Sequence, residues 1–251
     1  MVGGRSQLKH RSVSLVRVGV HRILNQLFGD RNSPVALPVL TGPGRGMWLR
    51  TSDLGEAMSM NQVHTSRASK ALSEICQVGW TVWDCTSSEG ISTVLFSRFV
   101  GVDGFVVSFE TNRSHFLQIY DNATLNGCNN ILFLFATVGM PAAKTRFKPP
   151  VCARQLSLDE AYQDGEVPIP HLIRLVLNGA SVTALSHAER LFREQRPILV
   201  VDANSNEGYT ALKDFTAKFE YAMQSLEDGA FHTDPSKISG SILCSPLPQT
   251  R

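Results

Sequence analysis

The feature that most limits what this chain can become is a repeated change of period. Short apolar runs at 81–84, 105–109, 131–137, 172–177 and 197–202 alternate with stretches at 65–77, 90–99, 113–126, 180–194 and 210–227 whose apolar residues recur at helical spacing. A strand buried on both faces reads as a continuous apolar run, whereas a helix covering it shows one apolar stripe. Alternating the two predicts an α/β fold, a mostly parallel doubly wound sheet with helices on both faces. The 251 residues, 43% hydrophobic and 18% charged, suffice to bury one sizeable core.

The ends and one internal stretch break the rhythm. The first 29 residues hold Arg5, Lys9, Arg11, Arg17 and Arg22 and no acid, and Val16, Val20, Ile23, Leu24 and Leu27 trace one helical face. Such a segment fits an N-terminal helix packed on the domain, an organellar leader or a weak membrane-surface contact through residues 1–30. Pro34, Pro38, Gly42-Pro-Gly44 and Gly46 then mark a boundary. The expected division is an extension over 1–34, one domain over 35–233 and a flexible tail over 234–251, rich in Ser, Pro and Gly. Between Met140 and Pro170 five prolines interrupt the alternation, which predicts a substrate-facing lid or a small hairpin.

Charge and cysteine use exclude several classes. A net charge of +2 gives no concentrated basic face for nucleic acid. The longest apolar run, Ile131 to Met140, is about half of what a bilayer requires, so it reads as a buried strand and no transmembrane segment is expected. The five cysteines Cys76, Cys85, Cys128, Cys152 and Cys244 form no Cys-x-x-Cys pair and have no histidine at ligand spacing, which predicts reduced thiols and no metal site. No secretory leader accompanies the sequons Asn112-Arg-Ser114 and Asn122-Ala-Thr124. A cytoplasmic protein is the expectation.

The chemistry concentrates at 82–110. Val82-Trp-Asp84 ends on an acid, Cys85-Thr-Ser-Ser-Glu89 forms a turn of mostly small residues, and Gly90 opens a helical pattern through Ile91, Val94, Leu95 and Phe99. A second apolar run, Phe105 to Phe109, ends on Glu110. Strand, turn, helix and second strand with an acid at its tip suit a nucleotide-like ligand: turn N–H groups face the ligand and the carboxylate accepts ribose hydroxyls. One glycine in the turn, instead of three, argues against a dinucleotide site. The similar stretch Val200-Val-Asp-Ala-Asn-Ser-Asn-Glu-Gly208 falls where a fifth strand and its loop are expected.

With Asn122-Ala-Thr-Leu-Asn126, Asn130-Ile131, Ser157-Leu-Asp-Glu160 and Ile173-Arg-Leu-Val-Leu-Asn-Gly-Ala180, these segments resemble in order and spacing the FkbM family of S-adenosylmethionine (SAM) methyltransferases, over roughly residues 38–225. The resemblance implies the class I methyltransferase fold, SAM as cofactor, and methyl transfer to a hydroxyl of a sugar or similar small molecule. It carries cofactor contacts onto Asp84, Thr86, Ser88, Gly90, Glu110 and Thr111, and catalytic roles onto Asn178 and Arg174. The chain departs from the family where Asp-x-Gly-Ala-Asn-x-Gly is replaced by Asp84-Cys-Thr-Ser-Ser-Glu-Gly90, and where three acids of the fourth strand become Val176, Asn178 and Ser181. Asp159, Glu160, His115 and His171 are the substitute bases to consider, and a catalytically inactive binding module is the second reading.

Overall fold

A computed structural model describes residues 35–51, 66–139, 153–177, 179–203, 205–238 and 240–248. The N-terminal extension, residues 140–152 of the Pro-rich stretch and Asn178 lie outside them. Two strands, β1 (Val35–Pro38) and β2 (Trp48–Thr51), pair as an antiparallel hairpin. The domain then runs α1 (Arg67–Ile75), β3 (Thr81–Asp84), α2 (Ile91–Val100), β4 (Phe105–Glu110), α3 (Arg113–Leu125), β5 (Ile131–Val138), β6 (Arg154–Leu156), α4 (Leu158–Gln163) and β7 (Leu172–Leu177). After a 3-10 segment at Gly179–His187 come α5 (Glu189–Glu194), β8 (Ile198–Ala203), α6 (Asn206–Phe219), β9 (Tyr221–Ser225), β10 (Phe231–His232) and β11 (Ser241–Pro246).

Nine strands form one sheet in the order β10-β9-β11-β8-β7-β3-β4-β5-β6. The six from β8 to β6 are parallel to one another, and β11 lies antiparallel between β8 and β9. This is the expected mostly parallel, doubly wound sheet. Helices cover both faces, as the uninterrupted apolar strands require. On one face Val82, Val106, Leu172 and Val200 pack with Ala68 of α1 and Phe96 and Val100 of α2. On the other, Trp83, Val107, Ile173, Leu175, Leu199 and Val201 meet Leu158, Leu191, Phe192, Leu212 and Phe215.

The hairpin docks on the helices instead of joining the sheet. Leu49 and Met47 pack on Val94, Leu95 and Ala123, while Asn126 exchanges hydrogen bonds with both main-chain groups of Trp48 at 2.8 and 2.6 Å. One turn earlier, the fully buried Asn122 accepts from Arg50 N at 2.6 Å and donates to Glu89 O at 3.0 Å. Two carboxamides four residues apart, one on α3 and one at its C-cap, thus act as a strand edge for β2.

Three expectations need correction. The expected flexible tail contains a sheet strand: β11 fills the gap between β8 and β9, with Ile242 and Cys244 wholly buried. Its signal, Ser241-Ile-Leu-Cys-Ser-Pro246, is short and set among Ser, Pro and Gly, the composition of a loop. The helix expected over 210–227 ends at Phe219, because Glu220 turns left-handed (φ 58°) and starts a strand. The helix expected over 180–194 is a 3-10 segment followed by the shorter α5.

Candidate functional site

Strand order reverses beside β3: the chain winds outward through β4 and β5, then returns to place β7 on the other flank. Open parallel sheets form their ligand crevice at such a switch point, beyond the carboxyl ends of the strands. The turn Cys85–Gly90 and Glu110 both stand there, at the ends of β3 and β4.

The turn is held mainly by side chains. Ser87 Oγ donates to Asp84 O at 3.0 Å and accepts from Ser108 Oγ at 2.8 Å. Thr86 Oγ1 accepts from Val176 N at 2.9 Å, and Cys85 N donates to Arg174 O at 2.9 Å, which stitches the turn to β7. Gly90 N closes the turn on Ser87 O at 2.8 Å. Ser88 is exposed and left-handed (φ 49°), and no described residue accepts from the N–H of Ser88 or Glu89. Gly90 has φ 85°, and a Cβ there would lie 2.8 Å from Ile119 Cα, so its lack of a side chain serves the close approach of α3.

Asp84 is completely buried. Its Oδ2 accepts from Ser92 and Thr93 in the first turn of α2, at 2.8 and 2.7 Å, where the helix dipole also favours negative charge. Its Oδ1 pairs with Arg174 Nη1 at 3.2 Å. That nitrogen also reaches Thr86 O at 3.0 Å, while Nη2 pairs with Asp202 at 3.0 Å and Asp202 accepts from Ser241 Oγ. Burial opposes the guanidinium's charge, yet Asp84 and Asp202 hold its pKa above the ordinary value. Both terminal nitrogens of Arg174, a position expected to be catalytic, are therefore engaged within the protein.

Glu110 is nearly buried, with a tenth of its side chain exposed. Oε1 accepts from the N–H groups of Thr111 and Asn112, each at 2.7 Å, and Oε2 lies 3.8 Å from His115 Nδ1. One carboxylate oxygen thus fixes the loop before α3, whose N-cap is Asn112, and the other keeps its accepting capacity for a ligand. Thr111 contributes its main-chain N–H to that loop.

The structure separates the substitute bases. Asp159 caps α5, accepting from Arg190 N and Leu191 N at 3.1 and 2.9 Å. Glu160 closes the capping box of α4 on Ser157 N at 2.7 Å. His171 Nδ1 accepts from Thr81 N at 2.9 Å and its ring stacks on Trp80, at the opposite end of the sheet from the turn. Only His115 stands by the crevice. Val176 is half-buried on β7, and Asn178 follows that strand outside the described residues. Sequence reasoning missed Asp202, a carboxylate in register with Val176 across β7 and β8. Its only signal was Val200-Val-Asp-Ala203, which resembles the end of β3. Among the described residues no group of His, Cys, Asp and Glu is placed to hold a metal ion, and no helix is long and apolar enough to cross a membrane.

No family model matches the chain, and no curated protein matches it. Solved structures similar to it include the FkbM methyltransferase of Methylobacillus flagellatus, 20% identical, with 67% of this chain and 44% of that one covered at a TM-score of 0.47. A SAM-dependent methyltransferase of Aquifex aeolicus is 12% identical, covering 76% of this chain and 97% of that one at 0.47. An rRNA methylase of Streptococcus thermophilus is 12% identical, covering 74% and 96% at 0.48.

Proposed function

We propose that the chain is a SAM-dependent methyltransferase of FkbM type whose acceptor is a sugar or another hydroxylated small molecule. One observation carries this: at the switch point of a doubly wound sheet, β3 ends in a turn whose Ser88 and Glu89 N–H groups have no acceptor among the described residues, and the neighbouring β4 ends on a carboxylate, Glu110, that keeps one accepting oxygen. SAM supplies a methyl group already activated on a sulfonium. Glu110 Oε2 would accept from the ribose hydroxyls, Thr111 N–H holds Glu110 in place, and the turn from Asp84 through Thr86 and Ser88 to Gly90 would receive the amino-acid end. An acceptor hydroxyl aligned there would take the methyl group, with its proton passing to water or a nearby base and S-adenosylhomocysteine as the leaving product.

The protein's contribution is alignment and exclusion of water. With Val176 in place of an acid on β7, general-base assistance worth roughly 10²–10⁴-fold is missing at that position and turnover is slow. Calorimetric titration with SAM and its demethylated product, S-adenosylhomocysteine, tests the reading. Losing the ribose contacts costs roughly 1.5–3 kcal/mol, so Glu110→Ala weakens binding at least tenfold. Equal affinity of the variant and the parent removes Glu110 from the site. A second reading, an inactive descendant that retains the fold for binding, is favoured by one observation: Arg174 ties up Asp84 and Thr86 with internal contacts. Binding of the cofactor without methylation of any hydroxylated acceptor supports it.

A further inference from the structure

A cavity of about 300 Å³ opens between α1, α2 and the carboxyl ends of β7 and β8. Leu72, Phe96 and Phe99 form an apolar wall, Arg174 and Asp202 lie along one side, and the lining also includes Ser66, Ser69, Ser241 and Glu227. The polar groups around Arg174 are directed in one sense. Ser92 gives its hydroxyl proton to Asp84 and Ser241 gives its own to Asp202. The terminal nitrogens of Arg174 hold Asp84, Thr86 O, Ser92 and Asp202. Asp202, Ser241 and Glu227 keep accepting capacity: oxygens of the first two, and the half-buried carboxylate of Glu227, which has no hydrogen-bond or ion-pair partner among the described residues.

Two carboxylates face one guanidinium in this lining, and a third carboxylate, Asp84, sits behind that guanidinium. Arg67 stands near Glu227, with Nη1 3.3 Å from the main-chain oxygen, but it is exposed and screened by water. A cavity with excess negative charge selects a ligand that brings positive charge. We propose that it binds the methyl acceptor and that this acceptor is a hydroxylated amine, with its ammonium between Glu227 and Asp202 and a hydroxyl toward the turn at Ser92. The acceptor role rests on the methyl-transfer reading; the sign of the ligand's charge is read from the cavity alone.

Glucose and glucosamine, which differ by one hydroxyl replaced with an ammonium, are the probes. Saturation-transfer NMR on the full chain gives their dissociation constants, with Glu227→Gln as the variant and a thermal melt to verify its folding. Glucosamine binds the parent at least fivefold tighter than glucose, and the ratio falls toward one in Glu227→Gln. Equal binding of the two sugars, no binding of glucosamine, or a ratio unchanged by Glu227→Gln overturns the proposal. The cofactor's amino-acid end also carries an ammonium, so S-adenosylhomocysteine and 5′-methylthioadenosine, which lacks that end, are titrated in parallel. If Glu227→Gln weakens the former and spares the latter, the cavity belongs to the cofactor and the proposal fails. If neither nucleoside binds the parent while the glucosamine preference holds, the amine site stands and the methyl-transfer reading fails.

Discussion

Replacing Arg174 with methionine isolates what the buried ion network contributes. The change preserves much of the stem's volume but removes the cation from Asp84, which is fully buried, and from Asp202, whose side chain is 23% exposed. Water can reach Asp202, and Ser241 still donates to it, so its share of the loss is small. Asp84 has no such recourse. Stripping one partner from a buried pair costs roughly 3–5 kcal/mol, and the hydroxyls of Ser92 and Thr93 place this case near the lower bound, about 3 kcal/mol. Neutralising both partners removes the cause of the loss, so Asp84→Asn combined with Arg174→Met recovers about 2 kcal/mol relative to the sum of the single variants. Urea denaturation followed by far-UV circular dichroism, run as a double-mutant cycle, measures both quantities. A cost below about 1 kcal/mol for Arg174→Met, or strict additivity of the pair, refutes the reasoning. Unchanged stability with lost methyl transfer would return Arg174 to the catalytic role the resemblance implies.

Three further outcomes follow from the packing. Gly90→Ala forces a left-handed residue against the α3 backbone and lowers stability by about 2–4 kcal/mol, read as a drop in melting temperature; an unchanged melt would mean α3 can move away. Truncation after Lys237 removes β11 and leaves β8 and β9 unpaired on facing edges, so cooperative unfolding disappears; a sharp native-like transition would show the strand to be dispensable. Burial pushes the Cys76 thiol up to about 12 and raises Cys85 and Cys244 as well, so the unfolded chain sheds these protons first as pH climbs past about 8.5. Stability is full below that pH and falls above it by up to about 1.4 kcal/mol per pH unit per thiol, and equal urea midpoints at pH 7.5 and 9.5 would count against it.

The parallel strands were legible because each is buried on both sides and therefore written as an unbroken apolar run, as in Phe105-Val-Val-Ser-Phe109. Glu110 at the tip of β4 followed from the same pattern. β9 and β11 were not legible: Tyr221, Met223 and Ser225 alternate with half-buried residues at the end of a helical pattern, and β11 looks like a loop until β8 and β9 give it two partners. The environment of Asp84 was equally hidden, since Arg174 lies 90 residues away and meets it only through strand register, while Ser92 and Thr93 reach it from the first turn of α2. Asp159 and Glu160 were misleading for the opposite reason, because a carboxylate near a helix start has a capping role that no local pattern distinguishes from a catalytic one.

The position of β11 also sets the order in which this protein can become native during synthesis. Every other strand of the sheet leaves the ribosome before Ser241–Pro246 does, yet β8 and β9 can be joined only through it. Until then β8 presents an open row of main-chain donors and acceptors, flanked by Val200 and Val201, to any other nascent chain. Chaperone occupancy on ribosome-bound chains should therefore persist after the β3–β8 core has emerged and end when the final strand arrives.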